Sequence, residues 1–273
     1  MAYKSQRSFI NDSLGRIHSC FVISDADTNR VCYGVFEPGA SEVWRDTVPG
    51  SHSIPGILVD GSRVHIVIRG EDLWPDYIQY DLEGNITVPP VDLAEDLVQF
   101  QQGFSLALDG NGDLYAFLVL LRSYLYLSLF KIDGETGDIL IEDMEIWDPG
   151  YSANDPIVLP TPSGDMMYLL WRNREETYYK QIYFAVIDTD GNFIETPYSA
   201  YDYSDEEQQQ LSVLDATCND SGDVFAIWSA YFPEVHPNAY HIPPSIPLLR
   251  VFQLPLMPIR LPNSSRFTIY LVG

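Results

Sequence analysis

The chain has 273 residues, 46% of them hydrophobic, which is enough to bury a sizeable core and too apolar for a disordered protein. Its 39 acidic residues against 15 basic ones leave a formal charge of −24, so nucleic acid and anionic membranes are poor partners. No apolar run reaches the ~20 residues that span a bilayer, and the start "MAYKSQRSFINDS" lacks the apolar stretch of a signal peptide. Membrane insertion is therefore not expected. An extracellular location would need another route, such as assembly into a particle.

In chain order, five segments share one grammar: a turn cluster, Gly or Ser, a polar residue, then strand-type apolar residues. They are "NDSLGRIHSCFVI", "LVDGSRVHIVI", "LDGNGDLYAFLV", "TPSGDMMYLLW" and "NDSGDVFAIW". Their anchors, Gly15, Ser62, Gly112, Gly164 and Gly222, are separated by 47, 50, 52 and 58 residues. A second turn follows in each unit: "EPGASEVW", "DLEGNITV", "DGETGDILI", "DTDGNFIE" and "LPNSSRFTI". Between the turns lie runs such as "YLYLSLFKI" and "KQIYFAVI", which read as strands joined by glycine-bearing hairpins. Each unit thus predicts four strands, a to d. Only "VDLAEDLVQF" has a short helical rhythm.

Four strands in about 50 residues is the period of a propeller blade. The predicted fold class is all-β: a single β-propeller over 1–273, with blades at about 1–49, 50–98, 99–149, 150–205 and 206–273. Six blades with one degenerate is the alternative. The "D-x-x-G" turns leading into apolar strands resemble those of sialidase-like propeller repeats, a resemblance that implies a fold rather than an activity. The tryptophan-bearing Asp-box of sialidases is absent. "RFTIYLV" is expected to close the chain as strand d of the fifth blade.

The repeat sorts the connections into two ends. The a–b and c–d turns are short and stereotyped, whereas the b–c and d–a connections vary, and variable loops on a regular scaffold are where function concentrates. "RGEDLWPD", "WRNREETYY", "WDPGYSANDP", "YDYSDEEQQQ" and the long "SAYFPEVHPNAYHIPPSIP" fall on the variable end. Trp74, Tyr151, Arg172, Tyr231, Phe232, His236, Tyr240 and His241 are the candidate binding residues there, the aromatics for stacking and the polar groups for orientation.

Other constellations read as scaffold. His18 and His65 follow their anchors by three residues, where Tyr115, Met167 and Phe225 stand in the other units, which marks a packing position. "DGNGD" (109–113) and "DTDGN" (188–192) open like calcium loops but lack the closing acid, and turn geometry accounts for them. His236 and His241 lack a third ligand, so no metal is expected, and no cofactor fingerprint is present. Cys20 and Cys32 flank "SDADTN" and read as two small buried hydrophobes, with a cross-strand disulfide as the alternative; Cys218 stands apart. Arg69, Arg122 and Arg172 recur near the ends of the b strands and read as ion-pair partners.

Two function classes follow. The first is a non-enzymatic binding or structural propeller whose loop end meets a glycan or protein partner, for instance within an extracellular or viral particle. An acid-rich chain whose lysines are Lys4, Lys131 and Lys180 also fits a high-salt environment. The alternative is a glycoside hydrolase. The segment "NDPIVLPTPSGDMMYLLW" resembles the nucleophile or base segment of five-bladed furanosidases, which implies a carboxylate pair, here Asp155 and Asp215.

Overall fold

The computed structural model describes residues 9–24, 29–39, 44–49, 51–94, 99–122, 125–147, 153–175, 178–202, 210–231, 259–260, 266–267 and 269–272. The first sheet holds β1 (Phe9–Asn11), β2 (Ile17–Ser24), β3 (Asn29–Phe36) and β4 (Trp44–Thr47). The second holds β5 (Ser51–Val59), β6 (Arg63–Gly70), β7 (Pro75–Asp81) and β8 (Ile86–Asp92). The third holds β9 (Gln99–Leu108), β10 (Leu114–Leu121), β11 (Leu125–Ile132) and β12 (Ile139–Trp147). In the fourth are β13 (Ala153–Pro160), β14 (Met166–Glu175), β15 (Tyr178–Asp188) and β16 (Phe193–Asp202). All four are antiparallel meanders in chain order.

The first strands of successive sheets lie side by side, β1 against β5, β5 against β9, β9 against β13 and β13 against β17 (Gln210–Cys218). Later strands run outward from this inner row. That is the architecture of a β-propeller, as the repeat predicts, and among the described residues there is no helix and so none that could cross a membrane.

The interior is a series of apolar layers between blades. Cys20 and Tyr33 of the first sheet pack on Ile66, Ile68 and Tyr80 of the second. Val67 and Tyr77 meet Phe104, Leu118 and Phe130 of the third. Phe117 and Leu129 meet Leu169 and Trp171 of the fourth, and Leu170 and Phe184 meet Leu214 and Trp228 beyond it. Middle blades are buried on both faces, which is why "LYAFLVLL" is an unbroken apolar run instead of an alternation. Each such large side chain contributes about 1.5–3 kcal/mol on burial. A Cβ on Gly56 would collide with the ring of Phe104, so glycine there lets the next blade close up.

One end of the propeller is built from a single hydrogen-bonded turn, used repeatedly. Asp109 is representative: its amide donates to the Asp113 carbonyl (3.1 Å), the Gly112 amide donates back to its carbonyl (3.1 Å), and its carboxylate accepts from the Asn111 and Asp113 amides (2.8 and 3.0 Å). Asp12, Asp81 and Asp188 repeat the pattern, as does Asn219 with its amide oxygen. Neighbouring turns are tied together. The Gly110 amide donates to the Gly164 carbonyl (3.0 Å), Gln79 and Arg63 to the Gly134 carbonyl (2.9 and 2.7 Å), and Tyr115 and Lys131 to the Thr189 carbonyl (2.5 and 3.2 Å).

His18, His65, Tyr115 and Met167 are fully buried in equivalent places, as a packing position requires. Both histidines also bond. The His18 Nε2 lies 3.2 Å from the Asp12 carboxylate, which can only accept, so Nδ1 accepts from the Tyr33 hydroxyl at 2.7 Å. Burial holds the His18 ring below its ordinary pKa, and it stays neutral. His65 makes the same chain to Asp60 and Tyr77.

Three expectations change. The last described strand, β21 (Ile269–Val272), does not take place d of a fifth meander. It pairs in parallel with β18 (Val224–Tyr231), which lies between it and β17. A parallel partner requires a long crossover, and residues 232–268 are long enough for one. Within that stretch β19 (Ile259–Arg260) and β20 (Arg266–Phe267) form a two-stranded ladder around "LPNSS". "WRNREETYY" is no open loop, because β14 and β15 run through it and pair Glu175 with Tyr178. The cysteine reading holds: Cys20 and Cys32 are buried and free, and since Cys20 opposes Tyr33 and Cys32 opposes Phe21 they point to opposite faces, which rules out the alternative bridge. "VDLAEDLVQF" is strand at both ends, with 95–98 outside the described residues.

Candidate functional site

At the opposite end, the inner strands β5, β9, β13 and β17 are interrupted, whereas β1 is regular. Register shifts occur within β5, β9, β13 and β17, and bulges of this kind re-aim side chains near functional sites. In β13 the bulge is formed by Asp155 and Pro156, between the pairs Asn154–Arg172 and Ile157–Leu170. Asp155 sits at φ +48°, a left-handed conformation rare for a side chain that is not glycine. The equivalent position in β9 is Gly103, at φ +107°. The same backbone bend thus carries a glycine in one blade and a carboxylate in the next.

The Asp155 carboxylate accepts from Arg172 Nη2, and its amide donates to Asn154 Oδ1 at 2.9 Å. Arg172 is 7% exposed, so its charge lies inside the blade and is neutralised by Asp155. Asp215, the other carboxylate of the hydrolase reading, lies on β17 opposite Ile227, exposed, and accepts from the Ala216 amide at 2.9 Å. Its neighbour Leu214 faces the fourth blade, so Asp215 faces away from it. Among the described residues no hydrogen bond or ion pair joins Asp155 to Asp215.

Trp74 stands half-buried on the turn between β6 and β7. The turn is closed by the Gly70 amide to the Trp74 carbonyl (2.8 Å), the Leu73 amide to the Gly70 carbonyl (3.1 Å) and the Trp74 amide to Asp72 Oδ1 (3.0 Å). Beneath it lies Asp76, 6% exposed, with Oδ1 buried and without a hydrogen-bond partner. Burial, then the nearby charges of Asp92 and Asp72 and a hydrogen bond shared with Asp92, push its carboxyl up to about 7. Sequence reasoning missed Asp76. The signal available was its place opposite Asp92 once strand register is known.

The recurrent arginines go to different places. Arg122 pairs with Asp143 and lies over the Tyr126 ring (4.6 Å) on the outer part of the third blade, whereas Arg172 turns to the inner strand. These two are ion-pair partners, as expected, and form no joint clamp, whereas Arg69 has a buried Nε without a hydrogen-bond partner. Tyr231 ends β18. Tyr151, Phe232, His236, Tyr240 and His241 lie outside the described residues. Among the described residues no cluster of His, Cys, Asp or Glu has the geometry of a metal site.

No family model and no curated protein matches the chain. Solved structures do. An apocarotenoid oxygenase variant from Synechocystis matches with a TM-score of 0.50 at 13% identity, over 81% of this chain and 53% of that one. A polysaccharide lyase, an ulvan lyase, matches with a TM-score of 0.51 at 11% identity, over 81% and 63%. An α-L-arabinanase from Penicillium chrysogenum complexed with arabinobiose reaches 0.49 at 10% identity, over 70% and 65%, too low to argue from. The chain spans about half the length of the oxygenase and under two thirds of the lyase. At such identities these likenesses speak for the fold alone, and the chain is an all-β propeller.

Proposed function

We propose that this propeller is a binding module that holds a neutral glycan at its loop end, around Trp74 and the Asp155–Arg172 pair. The observation that carries the reading is the asymmetry of the two ends. At the turn end the aspartates are engaged by backbone amides and neighbouring turns. The loop end presents an aromatic side chain, a strained carboxylate and a buried acid with an unpartnered oxygen. Aromatic faces supply stacking area for sugars, and carboxylates fix hydroxyls. A charge of −24 repels sulfated and uronate polymers, so neutral sugars fit best. A glycan array with the full chain tests this: binding to neutral glycans is expected, and silence across the array moves the partner to a protein.

A second reading is favoured by the strained backbone at Asp155. On that reading the residue is a glycosidase carboxylate whose partner is a loop acid, since Asp215 faces away from the fourth blade. Assaying the bound glycan for cleavage separates the two: hydrolysis that disappears in Asp155→Asn supports the enzyme, and intact glycan supports the binding module.

A further inference from the structure

The first blade differs from its sisters in exposing several large apolar side chains on one face, around a buried Cys32. Its side toward the second blade carries Cys20, Val31, Tyr33 and Val35, all in a buried layer. The alternate residues form the other side. Strand register places Ile17 beside Phe36 and Phe21 beside Cys32, with Phe9 and Ile23 on the same face. Phe9 is 67% exposed, Ile17 41%, Ile23 42% and Phe36 38%. In the middle blades the corresponding positions are packed against a neighbouring sheet. Of the other exposed large apolar residues, Ile86, Leu140, Phe193 and Ile194 sit on the outermost strands β8, β12 and β16, Leu14 on the turn before β2, and Val22 near the end of β2 on the side of Cys20. A contiguous apolar sheet face of this kind marks an interaction surface.

Charge says what can approach it. Residues 1–50 contain five basic and six acidic side chains, whereas 51–231 contain seven basic and 32 acidic ones. Two copies of the chain repel each other along blades two to five and meet without repulsion across the first. We propose that this face is a self-association surface, on which a second copy lays its own first blade so that the two sheets pack face to face. The surface is separate from the loop end.

Light scattering of the full chain during gel filtration tests the proposal. A dimer is expected, and Ile17→Asp combined with Ile23→Asp should weaken it about hundredfold or more while the circular dichroism stays that of the folded chain. Should the double variant misfold, hydrogen exchange on the wild-type chain decides: amides of 9–24 and 29–36 should gain protection with concentration. A monomer at every concentration overturns the proposal, whether the face stays bare or is covered within one copy. So does a dimer indifferent to the two aspartates.

Discussion

Asp12 at the turn end, just past β1, and Asp76 at the loop end, near the start of β7, are acids at strand ends of adjacent blades. Burial acts to raise the Asp12 carboxyl, but hydrogen bonds from the Arg16 and His18 side chains and from the Arg16 and Leu14 amides outweigh it and hold it at about 2. Asp60, with His65 and the Ser62 and Arg63 amides against the same burial, also lies at about 2. Asp76 is buried with two other acids near it, and its carboxyl rises to about 7. Donors around a carboxylate convert burial into stability, while burial without donors stores a cost. At Asp12 and Asp60 the donors are present; at Asp76 they are missing.

Among substitutions, the largest loss should come at the scaffold. Gly134→Ala would drive a Cβ into the Gly112 carbonyl, where two turns of one blade touch. A loss of about 3 kcal/mol in a urea titration is expected. Asp109→Ala removes the acceptor shared by the Asn111 and Asp113 amides and leaves Lys131 without one of its two carboxylates (3.7 and 3.2 Å). It should cost about 2–3 kcal/mol, against under about 0.5 for the exposed Asp190→Ala.

The loop end should behave oppositely. Asp76 has a folded-state pKa above its unfolded value of 3.8, so the native state binds more protons between about pH 4 and pH 7, and stability must fall as pH rises through that window. The fall should reach on the order of 3–4 kcal/mol and vanish in Asp76→Asn. Asp12 and Asp60 have the reverse sign: their stabilisation is present above pH 4 and is lost as pH falls toward 2. Unfolding measured from pH 2 to pH 8 should therefore peak near pH 4 to 5. Asp155→Gly relieves the left-handed strain by about 1 kcal/mol but takes the carboxylate away from the buried Arg172, so a net loss of about 2 kcal/mol is expected. A melting temperature several degrees below wild type checks it.

The turns were legible because their chemistry is local: an aspartate, two residues and a glycine suffice to specify the hydrogen bonds seen at Asp81 and Asp188. Local spacing also marked His18 and His65 as buried, although their links to Tyr33 and Tyr77 cross from one strand to the next. Asp155 stood out by its Asp-Pro step, but its bulge depends on the pairing of β13 with β14. Asp76 was read as loop, since "EDLWPD" looks solvated until register puts its last residue under Gly70. "WRNREETYY" misled through its charges, which a hairpin tip accepts as readily as a loop. The parallel β21 has no local signature at all, because 37 residues separate it from its partner β18.

The division into a scaffold end and a binding end is tested most directly by one paired measurement: glycan affinity and melting temperature on Trp74→Ala and Asp109→Ala. Trp74→Ala should lose about tenfold or more in affinity with an unchanged melting temperature, and Asp109→Ala should melt several degrees lower with affinity intact. Affinity that follows Asp109 and ignores Trp74 would contradict the account.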